Sequence, residues 1–277
     1  MNNAWHDGTL DAEIIKVGCA GDGVQITAAL PAGLARPLPA GRYFLVRCGA
    51  QSREERLSAW SIYARRALFA ARVTRLDADR DAWTLHAQDD ARDAGVAWLR
   101  ERTPGETLNL LGPLGNGFPA PDAPQNLLLV TDSLRLPLLD TLIHATLDRG
   151  GRVTLIVVAG EWADVGLETL RSALPIAAEV RMAAEEGALR SHLQETLVWA
   201  DGLAVALPGL APAALANWVR DARLRVEEGF AQVLMQADLV CGSGACLACV
   251  VPTAGGGLTR ACVNGPVFDL VQVAGGR

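Results

Sequence analysis

The sequence predicts an α/β plus β-barrel protein: an N-terminal antiparallel barrel, a parallel α/β domain and a short cysteine-rich C-terminal arm. Three observations predict it. Residues 10–118 carry short apolar or alternating runs cut by Gly, Pro and charged clusters, the rhythm of closed antiparallel strands. From residue 126, strand-sized runs alternate with helical patterns, which implies a parallel sheet with helices on its faces. Four of the six cysteines stand between positions 241 and 262.

The barrel strands are read from EIIKV (13–17), VQITAAL (24–30), RYFLVRC (42–48), LSAWSIY (57–63), LFAARVTRL (68–76) and AWTLHAQ (82–88). PAGLARPLPAG and LDADRDA separate some of them, and GVAWLRERTPGE (95–106) reads as a short helix stopped before Pro104. PAPDAPQN (119–126) is the linker. Beyond it LLLVT, VTLIVVAG, AAEVRM, GLAVALPG and AQVLMQ are the strands of the second domain. LRLPLLDTLIHATLDRGG, VGLETLRSAL, LRSHLQETLVWA and APAALANWVRDARLRVEEG are its helices. The expected units are 1–120, 126–237 and 238–277. The last has too few residues for a core of its own and must pack on something larger.

Composition excludes several classes. Half of the 277 residues are hydrophobic, a fifth are charged, and the net charge is -6, so no extended nucleic-acid surface is expected. No apolar run reaches the roughly 18–20 residues of a membrane span. MNNAWHDGTLDAEIIKV lacks a secretory pattern. The expectation is a cytoplasmic protein with reduced thiols.

The ligand pattern is Cys241-x4-Cys246-x2-Cys249-x12-Cys262, the spacing of a plant-type [2Fe–2S] site. Gly242, Ser243, Gly244, Ala245 and Ala248 are small enough for a tight loop to deliver three thiolates. Structural zinc is the alternative, although it usually takes paired C-x2-4-C knuckles; four buried thiols are the other. Cys19 and Cys48, in strand-like segments, are expected in the core.

Barrel, α/β domain and cysteine arm in that order resemble the ferredoxin reductase superfamily. GPLGNGF (112–118), CGSGACLACVVPT (241–253), ACVNGPVF (261–268) and WSI (60–62) more closely resemble the electron-transfer subunits of NAD-dependent dihydroorotate dehydrogenases. The resemblance implies a flavin-type barrel holding FAD and a nucleotide-type α/β domain. It also implies an iron–sulfur arm and a partner, a catalytic flavoprotein subunit, in a hetero-oligomer that serves pyrimidine biosynthesis. The flavin-contacting positions it implies are Trp60, Ser61, Ile62, His86, Gly95 and Val96. Ser58 and Ala59 stand where that family has Arg-Pro, and Arg56, Arg65 or Arg66 must replace the arginine. Gly95-Val96 stands for Gly-Thr at the pyrophosphate.

The nicotinamide side departs further. TDSLRLP (131–137) replaces a glycine-rich loop, and ALPGLAP (206–212) replaces Cys-Gly-Pro. Side chains at 132–136 remove room that a dinucleotide's phosphates need against bare backbone, so use of NAD is doubtful. Two hypotheses follow. One is an electron relay with cluster and FAD, whose runner-up is an NADH-oxidising reductase. The other is a mainly structural subunit with an empty barrel. Val267 and Phe268 are read either as a docking patch for the partner or as the fastening of the arm to its own chain.

Overall fold

A computed structural model describes residues 5–6, 8–20, 23–49, 54, 58–59, 62–87, 93–159 and 174–274. Trp60, Ser61 and most of the 165–174 helical pattern lie outside the described residues.

The barrel is built from β1 (Trp5–His6), β2 (Thr9–Ala20), β3 (Gly23–Pro31), β4 (Tyr43–Val46), β5 (Arg66–Arg75), β6 (Arg80–Ala87) and β7 (Thr107–Leu114). The sheet runs β1-β2-β3-β6-β5-β4-β7, and β7 returns to pair with β2. Six strands therefore close, with β1 as an outer ribbon. Alternate side chains fill the interior: Leu10, Ala12 and Ile14 from β2, Phe44 and Val46 from β4, Trp83 and Leu85 from β6. Phe44 meets Trp83 edge-on at 5.4 Å. Helix α1 (Ala94–Arg100) plugs one end, with Val96 and Leu99 fully buried.

The expected strand LSAWSIY does not form at its described positions: Ser58, Ala59, Ile62 and Tyr63 belong to no strand. Cys48 is buried in the barrel core, but Cys19 is exposed, which corrects the core expectation for it. Position 19 falls at the far end of β2, paired with Val24, one residue before the strand ends.

The second sheet contains β8 (Asn126–Asp132), β9 (Arg152–Val158), β10 (Ala178–Ala183), β11 (Gly202–Ala206) and β12 (Ala231–Leu234). Its order is β10-β9-β8-β11-β12, all parallel. The near-continuous apolar runs of β8 and β9 are those of strands covered on both faces. Helices α2 (Asp140–Asp148), α3 (Glu186–Thr196) and α4 (Pro212–Arg223) connect them. Among the described residues no helix is long and apolar enough to cross a membrane.

The arm forms a hairpin, β13 (Val250–Pro252) and β14 (Leu258–Arg260), a single turn α5 (Ala261–Asn264), then β15 (Val267–Asp269) and α6 (Leu270–Val273). β15 adds antiparallel to β12 as the sixth strand of the second sheet. Val267 and Phe268 are thereby buried, 5% and 4% exposed. The docking-patch expectation is overturned: these side chains fasten the arm to its own chain.

Candidate metal centre and its surroundings

GPLGNGF and the arm's GPVF, far apart in sequence, meet. Asn116 N–H donates to the Gly265 carbonyl at 2.6 Å and Asn116 Nδ2 donates to the Asn264 carbonyl at 2.9 Å. A Cβ on Gly115 would stand 2.6 Å from Pro266 Cδ, so only glycine lets the arm come this close. The clasp fixes Cys262, which lies in α5.

The cysteine loop lies on the outer face of β4 and β7. Gly242, at φ +69°, would bring a Cβ within 2.7 Å of Leu114 Cδ1 and 3.1 Å of Leu45 Cδ1. Gly244 takes φ +76°. These glycines make a cradle that any side chain would fill. Leu247, between two of the cysteines, also takes positive φ, +60°, a conformation uncommon for a non-glycine residue.

Four thiols gather there as two pairs. Cys241 and Cys246 lie together, and the backbone N–H groups of Cys246 and then Ser243 hold the Cys241 thiol down to about 5. Cys262 N–H donates to Cys249 Sγ at 3.4 Å. Burial, then its bond to the Cys249 thiol, pushes Cys262 up to about 12. The first pair is the outer one, with Cys246 exposed and Cys241 half-buried; Cys249 and Cys262 are buried. Among the described residues no three His, Cys, Asp or Glu side chains converge on a single metal position. Two pairs of thiolates suit two metal atoms joined by bridging sulfides, each taking two protein ligands. The residues fit a binuclear cluster.

Beneath the inner pair, Tyr43 is fully buried and its hydroxyl has no partner among the described residues. Burial first, then Cys262, Cys249 and Cys241, raises its pKa, so it stays a phenol. Its ring lies 5.7 Å from that of Phe69.

Phe69 lines a cavity of about 530 Å³ between the barrel and the arm, with Arg65, Arg66, Asp93, Arg135, Asp238 and Ala248 among its walls. Ala248 is the neighbour of Cys249, so one wall of this cavity is the cysteine loop itself. Of the described flavin positions expected from the sequence, Ile62, His86, Gly95 and Val96, none is among its walls. Gly95 and Val96 are buried at the start of α1, and a Cβ on Gly95 would stand 2.8 Å from Arg66 Nε. Arg66 is therefore the arginine that lies across this turn. It is paired with Asp93, Nε to Oδ1 at 2.7 Å, while the same Oδ1 accepts from Val96 N–H at 2.9 Å. Arg65 spans the strands, donating to Leu45 and Asn109. Ile62 is half-buried and its side chain crowds Gly49. His86 points out of the barrel yet is 0% exposed, and neither ring nitrogen makes a well-formed hydrogen bond among the described residues. Desolvation, opposed by the Leu134 carbonyl and reinforced by Arg135, lowers its pKa to about 4. Its lining arginines, Arg65, Arg66 and Arg135, suit an anionic flavin dinucleotide, and the carboxylates of Asp93 and Asp238 in the same walls oppose one. Asp93 was missed in the sequence, although an Asp before Ala-Gly-Val is a readable helix cap.

The crevice of the second sheet differs. It lies where the strand order reverses, between β8 and β11, the usual ligand position of such sheets. Here Thr131 Oγ1 donates across it to the Ala206 carbonyl at 3.0 Å. Asp132 Oδ1 accepts from Arg135 N–H at 2.8 Å, and Asp132 Oδ2 pairs with Arg135 Nη1 at 2.7 Å. A 3-10 turn, Leu136–Leu139, then buries Leu136, Leu138 and Leu139. The loop thus satisfies its own charges and folds Leu134 and Arg135 over His86.

Comparison with known proteins agrees with this geometry. The family described as the iron–sulfur cluster binding domain of dihydroorotate dehydrogenase B matches residues 237–274. The chain is 30% identical over 192 residues to the electron transfer subunit of dihydroorotate dehydrogenase B (NAD(+)) of Geobacillus sp. (strain WCH70), covering 65% of this chain and 70% of the relative. For that of Shouchella clausii (strain KSM-K16) the values are 27% over 217 residues, 73% and 77%. Among solved structures, an NADH-dependent reduced ferredoxin-NADP oxidoreductase shares the fold at TM-score 0.68 and 18% identity, over 97% of this chain and 91% of that one. Phthalate dioxygenase reductase does so at 0.52 and 13%, over 94% and 78%.

Proposed function

The chain belongs to the family of dihydroorotate dehydrogenase B electron transfer subunits, and from that membership we propose that it relays electrons for a separate catalytic flavoprotein subunit that oxidises dihydroorotate in pyrimidine biosynthesis. The observation that carries the reading is the division of the four thiols into an outer and an inner pair. Cys241, Cys246, Cys249 and Cys262 hold a [2Fe–2S] cluster, and the cavity beside Arg65, Arg66 and Phe69 holds FAD. When bound, the cluster accepts and releases single electrons and the flavin stores them in pairs.

The chain's own residues do the rest. The glycines admit the cluster, burial of Cys249 and Cys262 keeps water from its inner side, and Cys246 leaves its outer side at the surface. Val240, Leu247 and Val263 surround that outer side at 40%, 61% and 45% exposure, an apolar rim suited to a partner's surface. The protein works in a cytoplasmic hetero-oligomer, and the units are 1–120, 126–237 and 238–277. No acid or base for C–H chemistry is assigned to this chain; that chemistry is the partner's. Direct use of NAD(H) is weakened or lost, because the glycine-free loop after β8 folds on itself, pairing Asp132 with Arg135 and burying Leu136.

Anaerobic purification with iron, sulfide and flavin counts tests the reading. About two irons and two acid-labile sulfides per chain are expected; stoichiometric zinc without sulfide defeats it. The Asp93–Arg66 ion pair favours one second reading, a relay whose barrel holds no flavin, and a colourless chain after cluster removal would select it.

A further inference from the structure

We propose that the Tyr43 hydroxyl donates a hydrogen bond to sulfur of the centre held by the four cysteines and thereby raises its reduction potential. The inference rests on the [2Fe–2S] reading above and adds a tuning residue that touches none of the expected ligand positions in sequence.

Three observations carry it. Tyr43 points outward from the barrel with Leu45, on the face where the cysteine loop lies. Its strand partner Leu114 and its neighbour Leu45 are the very side chains that a Cβ on Gly242 would strike. Tyr43 shares one buried core with Cys249 and Cys262. Its hydroxyl is sealed from solvent and has no partner among the described residues, an arrangement buried phenols avoid unless something else accepts the proton. The charged groups acting on that hydroxyl are the cysteines, Cys262 foremost. None of the four thiols accepts from it in this structure, so the acceptor assigned is sulfur that the centre itself brings.

The direction of the effect follows from charge. Reduction adds one electron to the centre, and a donor aimed at its sulfur is bound more strongly afterwards. Hydrogen bonds to sulfur are among the means by which a protein sets cluster potentials. A single phenol donor stabilises the reduced form and makes the centre easier to reduce.

The full-length chain allows a clean test, since it has two tyrosines, Tyr43 and Tyr63. In Tyr43→Phe, potentiometric titration followed by the electron paramagnetic resonance of the reduced centre should show the one-electron equilibrium displaced about tenfold toward the oxidised form, about 59 mV lower. In a Tyr63→Phe background, global replacement of tyrosine by a fluorinated tyrosine strengthens only the Tyr43 donor, and the midpoint should rise. This second measurement decides the matter if Tyr43→Phe loads poorly. Midpoints that stay within twofold of the parent in both proteins, or that move the same way, overturn the proposal while leaving the cluster reading intact. Zinc in place of iron and sulfide overturns both.

Discussion

Gly242 is the residue on which the metal loop turns. Positive φ and a would-be Cβ contact of 2.7 Å with Leu114 Cδ1 make any side chain there strained. Gly242→Ala should destabilise the chain by about 1–3 kcal/mol and lower iron and sulfide content below half of the parent's, measured on protein purified without oxygen. Asp93 answers a different question. It holds Arg66 at 2.7 Å, so a flavin phosphate must take that arginine from a carboxylate. Asp93→Asn keeps a helix cap and removes the charge; FAD affinity, followed by fluorescence quenching, should rise several-fold. His86 makes stability depend on pH. Its folded pKa is lowered to about 4 from 6.5, so the unfolded chain takes up the proton first. Its contribution is whole above pH 6.5 and is lost as pH falls toward 4, in total on the order of 3 kcal/mol. His86→Leu should flatten urea-derived stability across that window. The cysteines and the small residues between them were legible from spacing alone. Tyr43 was not: a tyrosine in an apolar strand reads as core until the loop packed on it is known.

At the level of elements, the Asn116 clasp and the loop after β8 carry the consequences. Asn116→Ala removes the side-chain bond to Asn264 and leaves the backbone bond in place. A loss of about 1 kcal/mol is expected, with faster proteolysis within 250–264 and faster cluster loss to chelators. The loop after β8 has closed on itself, and isothermal titration should find no micromolar binding of NADH. The glycine-free character of TDSLRLP suggested as much, and in the fold the one cation of that loop, Arg135, is committed to Asp132. Periodicity identified the barrel strands that alternate and the parallel strands that are continuously apolar. It failed at LSAWSIY, whose apolar content is that of a strand but whose described residues are held by local turns. It also failed at β15, where three residues are too few to show a period and the partner strand β12 lies outside the arm.

The whole molecule is joined by one core. Tyr43, Leu45 and Phe69 of the barrel, Leu129, Leu139 and Leu155 of the second domain, and Cys249, Cys262 and Phe268 of the arm belong to the same buried cluster. Arg72 of β5 adds a two-pronged contact to Asp140 of α2, at 2.8 and 3.0 Å. Scanning calorimetry should therefore show one cooperative transition, and two separated transitions would contradict the shared core. The order of the three parts was readable in the sequence because each has its own hydrophobic rhythm. Their fusion was not, since contacts such as Asn116 to Gly265 join positions with no local signal. β15 has a further consequence. It covers the free side of β12, and an uncovered strand offers its unpaired amides to any other chain. Oxidative destruction of the cluster that loosens the arm would bare that edge. Air-damaged protein should then form β-rich aggregates with a lag that follows bleaching of the centre, so that loss of colour becomes an early warning of precipitation.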